Sequence, residues 1–292
     1  MEERGQGTVE WVGLVALVSL ALVGLVAAGF RVPGTALARA VASRMLCAVA
    51  MADGCGDEPT LIAAYGSEVG KLARRHMPTI LLERGSRALP VDFRRCRSSR
   101  CGDGSARGLV HRTDAGLPVT AFVHVVDRRD AGGSLYIQYW LYYADSATLR
   151  GIPLVGDAGY HRDDWESVQL RVGPDGRVDE RASSHDGYNH DRGVVNWGSD
   201  AGIGPLKDVA EALGARPHGG WGPETHLLLV SGGSHAGNAI GIPDVDRLVP
   251  GRRVHLVPLE AVAEERAGAY RFAVVPPWLK RVWLDPEAEG TG

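Results

Sequence analysis

At 292 residues, with 45% hydrophobic side chains, the chain is long enough for one large domain or two small ones and can supply a core, so size does not limit folding. A formal net charge of -3, with acidic and basic residues interspersed, offers neither a basic face nor an acidic tail and argues against nucleic acid as a partner. Gly and Pro are plentiful beyond residue 100, where short apolar runs lie between turn signals, so the second half reads as mainly β.

Residues 11–30 carry no charge, and about twenty residues at 1.5 Å rise match a hydrocarbon core of about 30 Å. A transmembrane helix is expected there, with residues 1–34 forming leader and anchor to a lipid bilayer. The run is longer than the apolar part of a secretory signal, and no basic cluster precedes it. Gly5 followed by Gln-Gly-Thr-Val-Glu-Trp resembles the cleavage site of type IVb pilins and TadE-like pseudopilins, where a peptidase cuts after the glycine and a glutamate stands five residues into the mature chain. Glu10 takes that place here, with Trp11 after it. The resemblance covers about the first thirty residues and implies pilus or secretion components as partners. Arg31, Arg39 and Arg44 just beyond the helix would hold the large domain in the cytoplasm by the positive-inside rule. The leader and the cysteines point the other way, and the expectation is a single-pass protein of the cell membrane with its large domain extracytoplasmic.

Cys47 and Cys55, and Cys96 and Cys101, form two close pairs. An even count in an exported domain suggests two disulfides; neither pair has the two-residue gap of a zinc knuckle, and free thiols in a cytoplasmic protein are the alternative. Residues 35–82 read as a helical segment broken at 54–59, with Leu61, Ala64, Val69, Leu72 and Ala73 on one helix face. Residues 90–108 read as a stapled loop. Within a mainly β domain at 83–284, strands are expected at 119–126, 135–143, 166–172, 225–231, 253–258 and 270–275, followed by a disordered tail at 285–292.

The most informative stretch is His161-Arg162-Asp163-Asp164-Trp165-Glu166, which runs into Ser-Val-Gln-Leu-Arg-Val. In a strand, Asp164 and Glu166 face the same way as Val168, Leu170 and Val172, towards the expected core. Two carboxylates there are costly to desolvate unless a cation, Arg or hydrogen-bond donors compensate them. A divalent cation is the simplest compensation, with His161 as a third ligand. Oxygen donors favour Ca²⁺, Mg²⁺ or Mn²⁺, and the imidazole shifts the balance towards Mn²⁺ or Zn²⁺. The alternatives are a structural network with Arg162 or other arginines, or acids that are simply solvated.

His161, Arg162, Asp164, Trp165 and Glu166 resemble the signature of the necrosis-inducing protein family, and are similar to the His, Asp-Trp-Glu motif of the fungal vacuolar-protein-sorting sixty-two family. Tyr139-Trp140-Leu141-Tyr142-Tyr143-Ala144-Asp145-Ser146 resembles the aromatic strand ending in Asp that precedes the signature in necrosis-inducing proteins. Ser184-His185-Asp186-Gly187 and Gly233-Ser234-His235-Ala236 resemble later segments of these families, in the same order, so the resemblance covers about residues 75 to 280. It implies a β-sandwich with helices packed around it and a divalent cation at one end of the sheets. It also implies Asp145, His161, Asp164 and Glu166 as ligands, with His185 close by. The chain departs from the pattern where Asp163 replaces a His, where Tyr160 replaces a Gly, and in a longer loop from Asp145 to His161.

His235 reads either as a site residue or as a core histidine bonded to backbone, while His124, His226 and His255 read as structural. Trp140, Tyr142 and Trp165 suit a sandwich core or an aromatic rim that holds a sugar ring. His190, Trp197 and Asp200 lie in a Gly- and Asn-bearing loop that would suit a binding edge. Three functions fit. One is a cell-surface module whose cation and loops hold a glycan or lipid headgroup. A second is a metal-dependent hydrolase with a metal-bound water as nucleophile and His185 or Asp163 as general base. The third is a pseudopilin-like component of a pilus or secretion assembly. No nucleophile elbow, phosphate loop or His-Glu-x-x-His helix gives the enzyme reading a positive signature.

Overall fold

The computed structural model describes residues 57–84, 86, 88–95, 117–147, 160–184, 187–190, 220–239, 245–260 and 271–288, all within the compact unit Leu46–Gly292. The expected anchor at 11–30, Gly5 and Glu10, the four cysteines, His185, Trp197 and Asp200 lie outside the described residues. Among the described residues, no helix is long and apolar enough to cross a membrane.

Helix α1 (Glu58–Arg75) opens with an acidic residue and Pro in its first turn and closes on Arg74 and Arg75, an arrangement that suits the helix dipole. Gly66 interrupts it at φ 82°, ψ 166°, a conformation glycine adopts without steric cost. The kink resets the phase of the helix. Leu61, Val69, Gly70 and Ala73 are buried as a result, whereas Ala64, expected on the same face, is exposed.

Strands β1 (Thr79–Glu83), β8 (Leu227–Val230), β9 (Gly237–Asn238) and β10 (Val245–Val249) form a four-stranded sheet in the order β10-β1-β8-β9. A larger sheet runs β11 (His255–Pro258), β2 (Thr120–Asp127), β3 (Leu135–Ala147), β4 (Tyr160–Val172), β5 (Val178–Ser184) and β6 (Gly187–Asn189), with the short β7 (Gly222–Pro223) also paired to β5. Pairing is antiparallel except for β1 with β8 and β2 with β11. The two sheets and α1 enclose one core. Ile80, Leu82, Leu228 and Val230 of the small sheet join Val123, Ile137, Tyr139, Leu141, Val168 and Leu170 of the large one, with Leu61 and Ala73 from the helix.

The other face of the large sheet is buried too. Trp140, Tyr142, Trp165, Phe122 and Tyr188 pack there with Phe93 and with residues near the chain's end, among them Phe272, Trp278 and Val282. Hydrogen bonds fasten this cover: Gln138 Nε2 donates to Val282 O at 2.8 Å, and Arg181 Nη2 donates to Ala288 O at 3.0 Å.

The architecture is mainly β with two facing sheets, but several boundaries differ from expectation. A boundary expected at residue 82 falls inside β1, whose five residues follow a helix too closely for a short alternating run to stand out. Residues 271–275 form no strand; they lie across the outer face of the large sheet instead. The expected tail at 285–292 begins with docked chain, since Glu287 bonds Tyr136 and Trp221 and Ala288 is buried.

Two expectations follow. A Cβ on Gly70 would lie 2.6 Å from the Ile62 backbone nitrogen, so Gly70→Ala should lower stability by roughly 2–4 kcal/mol in urea unfolding. Burial pushes the Glu287 carboxyl up, but donors from Tyr136, Trp221 and Arg171 outweigh it and hold the group below its ordinary range. The carboxylate's stabilisation is therefore fully present above the ordinary glutamate range and lost as pH falls through the depressed value. Because the group is partly exposed, Glu287→Gln should cost under about 1 kcal/mol at neutral pH, and the gap from wild type should close in acid when urea midpoints are measured across pH.

Candidate functional site

Strands β3 and β4 keep a single register from Leu135↔Val172 to Ala147↔Tyr160, which places Leu141 opposite Glu166, Tyr143 opposite Asp164 and Asp145 opposite Arg162. Alternation then sets Tyr143, Asp145, Asp164 and Glu166 on the face that carries Tyr139, Val168 and Leu170. The apolar core thus gives way, at one end of the ladder, to acids. Asp145 is 1% exposed, Asp164 7%, and Glu166 is half-buried.

Each acid has a neighbour. The Tyr160 hydroxyl donates to Asp145 Oδ2 at 3.3 Å, and the Ser183 hydroxyl donates to Glu166 Oε2. Asp164 Oδ2 lies 2.8 Å from His235 Nδ1. His235 is fully buried on the turn after β8, with its backbone in the left-handed region at φ 56°, and its ring stacks on Tyr143 with centroids 3.9 Å apart. The same turn is held to β3 by the Ser146 hydroxyl, which donates to Gly233 O at 3.3 Å.

Two atoms in this cluster are buried with no hydrogen-bond partner: His235 Nε2 and the Tyr143 hydroxyl. A carboxylate can only accept from His235 Nδ1, so Nε2 carries a lone pair in the neutral ring and a proton in the charged one. Burial, then the charges of Glu166 and Asp164, push the Tyr143 hydroxyl well above its usual pKa, so it stays protonated beside them.

Asp163 behaves differently from its neighbour. Its φ of 57° is left-handed, and its side chain joins the opposite face, where Oδ1 accepts from the Tyr142 hydroxyl at 2.5 Å and Oδ2 from Ala273 N–H at 2.9 Å. Oδ2 holds the segment at 271–275 to the sheet and Oδ1 ties β4 to β3, structural tasks for a residue read as a candidate base. His161, half-buried, lies across from Ser146 with Nδ1 2.8 Å from Asp163 O. A carbonyl can only accept, so Nδ1 carries a proton, and in the neutral ring Nε2 has the lone pair. Arg162 is exposed.

The register therefore brings together Asp145, Asp164, Glu166 and His235 on one face, and puts His161 on the other by alternation. Among the described residues, a trio of metal-ligating side chains with ligand atoms all within 4.8 Å occurs at His76, Glu224 and His226, and not at 145, 161, 164 and 166. Tyr143 is the site residue the sequence did not single out; its signal was its place two residues before Asp145, which only the strand register turns into contact with Asp164. Of the other described histidines, His124 bonds Trp283 O at 2.9 Å and stacks on that indole, and His190 bonds Pro223 O at 2.9 Å.

No protein-family model matches the chain, and no curated protein matches it. A solved structure described as NLPPya in complex with mannosamine, a necrosis and ethylene-inducing peptide 1-like protein, is distantly similar: 17% identity and a TM-score of 0.42, over 74% of this chain and 86% of that one.

Removing the donor to a buried carboxylate should be felt without disturbing the acids on the other face. Tyr142→Phe is expected to cost roughly 1–3 kcal/mol in chemical denaturation, because Asp163 Oδ1 loses its bond while remaining buried.

Proposed function

We propose that this chain is a membrane-anchored, extracytoplasmic binding module. It takes a divalent cation on the acidic end of the β3–β4 ladder, and the ion with its surrounding loops holds a glycan or lipid headgroup. The observation that carries this reading is the buried His235, whose Nδ1 is bound to Asp164 while Nε2 has no partner, on a face shared with Asp145, Glu166 and the partnerless Tyr143 hydroxyl. Ionised groups removed from water cost several kcal/mol each unless compensated, and a cation between carboxylates supplies that compensation.

The ligands would be the carboxylates of Asp145, Asp164 and Glu166 with the imidazole of His161, which alternation sets on the opposite face and which would have to reach round the end of the strand to join them. The donor set of hard oxygens with one nitrogen suits Ca²⁺, Mg²⁺ or Mn²⁺, with Zn²⁺ favoured as the imidazole contribution grows. Gathering them requires side-chain rotation, above all at Glu166, which would exchange the Ser183 hydroxyl for the ion. An ion held mainly by protein oxygens keeps positions for outside oxygens, and sugar hydroxyls or a phosphate match that chemistry. The anchor rests on the uncharged run at residues 11–30 and the pilin-like leader around Gly5 and Glu10.

Full-length protein in detergent, dialysed against Mn²⁺ and assayed by elemental analysis, should retain about one ion per chain, and Asp164→Asn combined with Glu166→Gln should remove it. Wild-type metal content in that double variant, with its fold intact by circular dichroism, would defeat the assignment. Retention on glycan or anionic-lipid surfaces should likewise disappear with a chelator.

A further inference from the structure

Helix α1 ends on His76, which lies against the connection between β7 and β8. His76 Nδ1 is 2.8 and 2.9 Å from the two oxygens of Glu224, and His226 Nδ1 is 3.0 Å from Glu224 Oε1. The two rings stack with centroids 5.8 Å apart, and the ligand atoms of all three residues lie within 4.8 Å of one another. The carboxylate is the buried member at 8% exposure, His76 follows at 13%, and His226 is the open side at 63%.

His226 also has a left-handed backbone at φ 59°, and Thr79 N–H donating to its carbonyl at 2.9 Å holds it there. A non-glycine residue in that region stores strain, which is tolerated when the surrounding structure fixes it and often accompanies a functional placement. The residue lines a cavity of about 570 Å³ that Arg74, Arg75 and Arg252 also line.

From this geometry we propose that His76, Glu224 and His226 form a transition-metal site of the zinc class, separate from the β3–β4 face and independent of the function proposed for it. Two imidazoles and one carboxylate are a donor set that Zn²⁺ takes with a fourth position left open, and one in which Ca²⁺ and Mg²⁺ are poorly served. With bonds of about 2.1 Å, tetrahedral ligands stand about 3.4 Å apart, so the trio must spread by roughly half an ångström to admit the ion. The exposed His226 provides that give. Each ring's proton moves from Nδ1 to Nε2 as the metal takes Nδ1, so the neutral imidazoles lose no charge in binding. A divalent ion with one carboxylate carries a net positive charge, and the neighbouring arginines add to it, so an anion or water drawn from the cavity completes the site.

The test uses full-length protein in detergent, stripped with a chelator and titrated with Co²⁺ as a spectroscopic stand-in for Zn²⁺. Wild type should develop the intense visible absorption of tetrahedral Co²⁺, and about one equivalent of Zn²⁺ should abolish it. Glu224→Gln and His226→Asn should each weaken Zn²⁺ binding by about tenfold or more; asparagine tolerates the left-handed backbone, so His226→Asn decides the matter should Glu224→Gln fail to fold. The Asp164→Asn, Glu166→Gln double variant should keep the absorption. Absence of tetrahedral absorption in wild type would mean that the trio is a proton-bridged cluster only, and would overturn the proposal. Wild-type Zn²⁺ affinity in a folded His226→Asn protein would overturn it equally.

Discussion

The ladder between β3 and β4 is the constraint from which most of this molecule follows. Two strands of thirteen residues pair without a register shift, and because side chains alternate, that register decides which of two buried faces each residue joins. A slip of β3 by one residue would carry Tyr139 and Leu141 out of the core between the sheets and move Trp140 and Tyr142 into it. Both faces are packed, so neither can absorb the other's side chains. The acids at the end of the ladder inherit their positions from this apolar pattern.

Neighbouring aspartates illustrate how far the pleat separates chemistry. Asp163 spends both oxygens on Tyr142 and the Ala273 amide, while Asp164 meets a buried imidazole that leaves one nitrogen unmatched. The two carboxylates thus differ in their surroundings: both oxygens of Asp163 are engaged, whereas the imidazole that meets Asp164 keeps one nitrogen without a partner. The stacked Tyr143 and His235 rings hold that unmatched nitrogen in place, since neither ring can turn without leaving a void in a dry interior.

Much of this was legible in the amino-acid order. The alternation through Asp164, Glu166, Val168 and Leu170 placed both acids on one face, and β2, β3 and β11 fall close to the runs read as strands. What the order did not reveal was pairing. Alternation in Tyr143 and in Asp164 is a local property, but their adjacency is a property of two strands, and no single window of sequence contains it. Val178–Ser184 does not stand out as a strand because its exposed-looking Asp, Glu and Arg, here Asp179, Glu180 and Arg181, are buried through partners on other elements, Arg171 and Gln169 on β4 and Thr225 beyond β7. Gly66 concealed a helix kink for a related reason: one left-handed residue shifts the phase of everything after it.

The final segment across the outer face bears on how such a chain is made. Phe272, Trp278, Val282 and Ala288 complete a layer whose aromatic members Phe93, Phe122, Trp140, Tyr142, Trp165 and Tyr188 are synthesised well before them. A ribosome delivers residues in order, so the aromatic side of the large sheet stays uncovered until residues 272–288 have emerged. During that interval the nascent protein presents Trp140 and Trp165 to its surroundings, and shielding by a chaperone is the natural remedy for an aggregation-prone surface that exists only until its cover has been made.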